Sequence, residues 1–451
     1  MRKIILILLT FLLAFTSTHA QFFTNEVSVK ASQLGIALNN IDEIFVFDSI
    51  TSSTSITFSN PGPIDIKWYR YLTAPALTPD NLLLSQTNVT SPTLEISTPS
   101  VGYSGNGDQC GYVLQYDDGS GIKFKYIWVF DLKNANIVIG SITADNIGVN
   151  PCFSTHLTVN LPTYSNLDYF SSLGVLNTIP RKFIISYNTL QLNEPQTIEI
   201  EKTNLGSGSN DITVAAPFVT TKFTIAGDQF FKAFNKTKIK STDADYTPLA
   251  VEATLKAVVA ERSAKNEVTR TTPGGLGGSA PLVVDFTSNA NTPVAQFFEW
   301  KIRAINDTSN VALYTDKDLR YTFKNAGLYK IKLTVSNATC IVSDSINATV
   351  IASSLNIPDV FTPNGDGKND EFRVAFSSLI SFHGIIFNRW GRKVFEWTDP
   401  GKGWDGRIGG KMAVPTAYYY IIEAVGSDID PITKKPIQYK RKGDINLLRG
   451  K

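Results

Sequence analysis

The residues best placed to do chemistry lie in one stretch, FTPNGDGKNDEF, at residues 361–372. Asn364, Asp366, Asn369 and Asp370 set oxygen-bearing side chains at close spacing with glycines between them, which is the material of a calcium loop. The same residue types tolerate positive φ and bond their own backbone, so a self-hydrogen-bonded turn behind Pro363 uses them equally well. An EF-hand would need a glutamate closing the loop and a helix on either side, and the sequence supplies neither. The turn is therefore the reading adopted, with no metal site assigned.

Elsewhere the catalytic inventory is thin. Beyond residue 20, histidine occurs only at His156 and His383, and cysteine only at Cys110, Cys152 and Cys340. None has metal-ligand spacing, and no G-x-S-x-G or H-E-x-x-H occurs. Gly274, Gly275, Gly277 and Gly278 lack the Lys-Ser/Thr and the strand-to-helix setting of a phosphate loop. Carboxylate pairs for glycoside hydrolysis need not be close in the chain, so spacing does not address them. The odd cysteine count leaves the pairing open: Cys110 and Cys152 could bridge a domain junction, or the cysteines could be small buried apolar residues. The reading is non-enzymatic, without a cofactor.

The first residues carry no chemistry but set a compartment. Arg2 and Lys3 precede an apolar run, residues 4–15, and then Thr18-His19-Ala20 stands before Gln21. That is the form of a secretory signal peptide over residues 1–20, too short for a bilayer span of about 20 apolar residues. Removing it takes two of the 42 basic residues and none of the 40 acidic ones, leaving a neutral chain. A neutral chain argues against a nucleic-acid partner. The protein is expected to be exported, with no transmembrane segment.

What positions these residues must be mostly strand. The chain has 27 Phe, 17 Tyr and only 2 Met, in short alternating runs separated by Gly, Asn, Asp and Pro. That pattern gives an all-β chain of tandem immunoglobulin-like β-sandwich domains. A first sandwich is expected over residues 22–135, with Trp68 in IDIKWYRY as its core tryptophan and a hairpin turning at DDGSG. A second is expected over 138–262. The stretch 248–264 fits a helix face or a strand face, and strand is adopted. TTPGGLGGS, inside a Gly/Pro-rich linker over 263–279, reads as a boundary because glycine offers nothing to pack. A third unit, 280–352, follows. In GLYKIKLTVSN, Tyr329, Ile331, Leu333 and Val335 alternate with wet residues, and Gly327-x-Tyr329 suits a tyrosine corner. This unit resembles a PKD domain, although Trp300 leads into Lys301-Ile302-Arg303 instead of the usual acidic turn.

After Ile357-Pro358, four signatures come in order: FTPNGDGKNDEF, FNRWG at 387–391, GWDG at 403–406 and GDINLLRG at 443–450. Together they resemble the gliding motility-associated C-terminal domain, the type B sorting domain of the Bacteroidetes type IX secretion system, over residues 356–451. The motif residues carried over are Phe361, Pro363, Asn364, Gly365, Asp366, Gly367, Asn369 and Asp370; Asn388, Arg389, Trp390 and Gly391; and Trp404, Asp405 and Gly406. By their chemistry, Trp390, Trp397 and Trp404 read as core of a small domain, and Asp405 as the cap of its own turn. Seven basic residues stand against Asp444 alone in 434–451. They form either a solvated edge or a surface for an anionic partner, lipopolysaccharide or the translocon.

The resemblance implies a cell-surface or secreted protein passed through the outer membrane by type IX translocon components and an outer-membrane partner barrel. The units ahead of the sorting domain would then be cargo for adhesion or for a surface scaffold such as gliding gear. The other reading is a carbohydrate-binding protein beside surface glycan-degrading enzymes. Its aromatic candidates in the sequence are Tyr69, Tyr71, Tyr112 and Tyr116, which core packing explains as well.

Overall fold

A computed structural model describes residues 21–96, 110–192, 194–260, 265–268, 275–307 and 309–449. The expected signal segment lies outside the described residues, as do residues 271–274 of the glycine stretch and Gly450. Strand is the dominant regular structure of the described chain, with one short α-helix, Gln229–Ala233.

The first unit sets a six-stranded sheet against a three-stranded one. Ile66 and Trp68 on Ile64–Tyr71 face the smaller sheet, where the Trp68 ring lies 6.2 Å from Phe22. The hairpin falls where expected, Cys110–Asp117 pairing with Ile122–Asp131 around Gly119 and Gly121 at positive φ. On Glu43–Phe47, however, Ile44, Phe45, Val46 and Phe47 are all buried, so this strand is covered on both faces. Phe45 and Phe47 pack into the first sandwich. Ile44 and Val46 join Tyr71, Trp128 and Phe130 in a core completed by Leu157, Val159 and Phe183 of the second unit. The first two units share apolar surface and are not separate beads.

The second unit packs Ser141–Asp145, Ser154–Leu161 and Gly208–Ala215 against a four-stranded sheet built around Phe183–Gln191. Asp228 caps the short helix, accepting from the amides of Phe230 and Phe231. Its carboxylate also meets the fully buried Arg181 guanidinium at 3.2 Å. Arg181 in turn donates to the Ala135 carbonyl, on the connection from the first unit.

Two expected boundaries move. Ala253–Val259 is a strand, but it pairs antiparallel with Leu282–Ala290 and so belongs to the third unit's sheet, not to a second domain running to residue 262. Within the expected linker, Leu276–Ser279 is a strand running parallel to Ile341–Ile351. A Cβ on Gly277 would sit 2.5 Å from the Thr349 carbonyl oxygen, so the absent side chain is what lets the two backbones approach. Glycine marks packing here, not a tether. Residues 265–268 also engage, Asn266 and Val268 exchanging backbone bonds with Phe376 of the C-terminal unit.

In the third unit Trp300, Ile331, Leu333 and Val335 are buried as the alternation requires, and the Tyr329 hydroxyl donates to the Asn325 carbonyl at 2.9 Å. Cys340 lies in this core and is bonded to Cys152 of the second unit, across 188 positions of sequence. The open Cys110–Cys152 pairing is thereby corrected, because Cys110 is buried in the first unit's own core.

The C-terminal unit is a five-stranded sheet in the order Val360–Phe361, Pro436–Leu447, Ala417–Ile429, Leu379–Phe387, Lys393–Trp397. It docks on the third unit through Ser378, whose amide donates to Ser279 Oγ at 2.6 Å and whose hydroxyl accepts from the Ala280 amide at 2.9 Å.

Candidate functional site

The loop after Phe361 is organised by one carboxylate. Asp370 accepts from the Gly365 amide on one oxygen, 2.7 Å, and from the Gly367 amide on the other, 2.8 Å. Gly365 and Gly367 both sit at φ 84°, and Asn369 at 51°, so the chain coils with its amides turned inward. Asn364 Oδ1 accepts from the Asp366 amide, and Asp366 from the Lys368 amide. The Lys368 amide, followed by the Asn364 side chain, holds the Asp366 carboxyl below the usual carboxylate range. Both Asp370 oxygens, Asn364 Oδ1 and one Asp366 oxygen are thus engaged by the loop's own backbone amides. Among the described residues no group of three or more His, Cys, Asp or Glu is arranged to hold a metal ion.

This loop is clamped to the GWDG turn. Phe372 and Trp404 exchange backbone bonds, and the buried Trp404 ring lies 5.4 Å from Phe361. Its indole donates to the Arg407 carbonyl at 2.8 Å, and Asp405 accepts from the Arg407 amide at 3.0 Å. Gly406 takes φ 72°, and a Cβ there would meet Pro363 Cγ at 2.9 Å. The closing strand completes the corner, Phe361 pairing with Leu447. Three motifs far apart in sequence thus meet in one place.

FNRWG does not join that corner. It forms the turn between Leu379–Phe387 and Lys393–Trp397, with Asn388 Oδ1 accepting from the amides of Trp390 and Arg392 and Gly391 at φ 78°. Trp397 and Trp404 are core, but Trp390 is 76% exposed, so its assignment to the core is corrected. A side chain between two turn residues has no sheet face to turn inward, and the placement between Asn388 and Gly391 was the available signal. The Arg389 guanidinium lies 4.5 Å from the Trp390 ring centroid.

Beside this turn the outer face of the sheet carries a groove of about 710 Å³, lined by Phe387, Arg389, Tyr419, Ile421, Lys442 and Asp444 among others. Tyr418 and Ile422 point to the core as alternation demands, which leaves the large side chains of Tyr419 and Ile421 half in water. From the basic C-terminal stretch Lys442 lines the groove; farther along that strand Lys440 is paired with Glu423 at 3.5 Å, while Arg441 lies against Tyr439 on the opposite face. Across the sheet His383 contacts Glu396 at 2.9 Å, and Lys393 bonds the same carboxylate. The arrangement offers an aromatic and cationic surface on a rigid frame, and no nucleophile with a base.

The tyrosines that a glycan face would need in the first unit are all buried. Tyr69 and Tyr71 enter the core shared with the second unit, while Tyr112 and Tyr116 enter the first unit's own. They divide between opposite faces of one sheet and cannot form a platform.

Residues 355–437 match the CHU_C type IX secretion signal domain, and residues 146–242 match a fibronectin type III domain. The chain is thus a multi-unit immunoglobulin-like β protein carrying a type IX secretion signal, and its export by that route follows. No curated protein sequence matches it. Among solved structures it is similar to a tetra-tandem repeat in the extending region of a large adhesion protein, at 12% identity over 90% of this chain and 99% of that one, with a TM-score of 0.22. It is also similar to the chicken CNTN1 FN1-FN3 domains, at 13% identity over 68% of this chain and 98% of that one, with a TM-score of 0.24. Among the described residues no helix is long and apolar enough to cross a membrane.

Proposed function

We propose that the chain is a non-enzymatic protein of the cell surface or the extracellular medium, with an adhesion or surface-scaffold role such as gliding or attachment. The observation that carries this reading is the secretion signal domain matched at residues 355–437, in a unit where the acidic loop, the GWDG turn and the closing strand meet in one packed corner around Trp404. The corner fixes shape, and the exposed Arg389–Trp390 turn with its neighbouring groove is what translocon components and an outer-membrane partner barrel read. The mechanism is recognition of a folded surface. The preceding units are cargo, joined to one another by a shared core and a disulfide. The third of them is PKD-like.

The test is delivery. A chain truncated before Asn356 should accumulate in the periplasm, and residues 356–451 should carry a fluorescent passenger to the exterior. Normal surface delivery of the truncated chain would falsify the reading.

A further inference from the structure

The two sheets of the third unit part along one side, where the edge strands Val311–Tyr314 and Leu319–Phe323 stand on opposite sheets. A cleft of about 740 Å³ opens there, within the range of ligand-binding clefts. Its wall is a run of rings. Tyr314 lies 5.9 Å from Tyr321, Tyr321 lies 4.7 Å from Phe323, and Phe323 lies 4.8 Å from Tyr329. Phe323 is core at 1% exposure, whereas the three tyrosines are only partly covered and border the opening. Burial raises the pKa of both Tyr321 and Tyr329.

The rim is cationic. Arg303, Arg320 and Lys324 line it, and of these Arg320 makes a 3.5 Å contact with Asp285. The acid of the lining, Asp307, is turned into its own loop, accepting from the amides and side chains of Ser309 and Asn310. Those bonds, with the Ser309 hydroxyl foremost, bring its pKa down to about 2 and hold the ionised carboxylate within its own loop, where one negative charge stands against the three cations of the lining.

Tyrosine faces suit the C–H faces of sugar rings, tyrosine hydroxyls suit their hydroxyls, and guanidinium forks suit carboxylate or sulfate. An acidic peptide would engage the cations but leave the ring wall unused. We propose that this cleft binds an acidic polysaccharide, a glycan bearing carboxylate or sulfate groups. The proposal rests on the reading that this unit is displayed outside the cell, since such polymers are met there, and it gives the adhesion role a ligand class.

The test is calorimetry on the purified full chain with polygalacturonate, dextran sulfate, uncharged dextran and polyglutamate. Polygalacturonate or dextran sulfate should bind, the first pointing to carboxylate and the second to sulfate. Dextran and polyglutamate should bind at least about tenfold more weakly. Tyr314→Ala should weaken the glycan by about tenfold, and so should the double variant Arg303→Gln, Lys324→Gln, whose surface positions spare the fold if the tyrosine variant proves unstable. No heat from either anionic glycan overturns the proposal, as does equal affinity for dextran or polyglutamate, or unchanged affinity in the double variant. Because export plays no part in the measurement, a failure of the secretion reading and a failure of this one are told apart.

Discussion

Phe372 and Trp404 each donate a backbone amide to the other's carbonyl, at 2.9 and 3.1 Å, which ties the end of the acidic loop to the middle of the GWDG turn. The exchange places the Trp404 ring beneath Phe361 and against Tyr418, 4.8 Å away, so the loop, the turn and a central strand share one packing centre. Two tryptophans of the same unit have opposite fates, Trp404 at 0% exposure in this centre and Trp390 at 76% on a separate turn.

That contrast separates folding from recognition. Trp404→Ala should cost about 3–5 kcal/mol, as large aromatic truncations in a packed core do. It should be read as an early, separate transition of the C-terminal unit in denaturant. Trp390→Ala should change stability by no more than about 0.5 kcal/mol yet reduce surface delivery in cell fractionation. Wild-type delivery of the Trp390 variant would remove the exposed turn from the recognition surface.

Asp370 should matter as an acceptor and not as a metal ligand. Asp370→Ala leaves the amides of Gly365 and Gly367 without their acceptor and should cost about 1–3 kcal/mol. Calcium at about millimolar levels, where weak extracellular sites fill, should give no calorimetric heat beyond dilution, with or without prior chelator treatment. A saturable heat that vanishes in Asp370→Ala would restore the calcium reading.

The Cys152–Cys340 bond joins loops of two units at a place where Asn337 already donates to the Leu249 carbonyl and accepts from the amides of Thr339 and Cys340. Replacing both cysteines by serine should lower stability by about 2–4 kcal/mol. It should also broaden the distance distribution in small-angle scattering as the second and third units gain freedom. An unchanged scattering profile would mean that packing alone holds them.

His156 gives the second unit a pH dependence. One ring nitrogen meets Asp145 at 2.9 Å and the other meets Asp211 at 3.3 Å, and the Asp145 hydrogen bond is the main cause raising its pKa above the ordinary imidazole value. A raised folded-state pKa stabilises fully below the unfolded value near ~6.5 and loses that stabilisation as pH climbs through the folded value. Melting temperature should therefore fall slightly from about pH 6 to about pH 8, and His156→Gln should flatten the slope. Both aspartates are well exposed, so the effect is small. The same slope in the variant would assign it to another group.

Much of the architecture was legible in advance because alternation at period two records which face of a strand is wet. Ile66 with Trp68, and Ile331 with Leu333 and Val335, needed nothing more. Local pattern loses its meaning where neighbouring units override it. Glu43–Phe47 is buried on both faces because the second unit covers what would otherwise be an outer face. Gly277 looked like a tether because sequence shows the missing side chain but not the backbone lying against it. Trp390 looked like core because aromatic type is visible along a chain and solvent is not.

By itself the sequence determined the strand-dominated class, the turn chemistry of the acidic loop and the order of the C-terminal motifs, all of which depend on residues close together in the chain. Tertiary structure alone decided that Cys152 finds Cys340, that Phe361, Trp404 and Leu447 form one corner, and that Tyr314, Tyr321 and Tyr329 border a common cleft. Those relations depend on strand order and sheet pairing across long separations. A linear pattern fixes which way a side chain faces but not what stands opposite it.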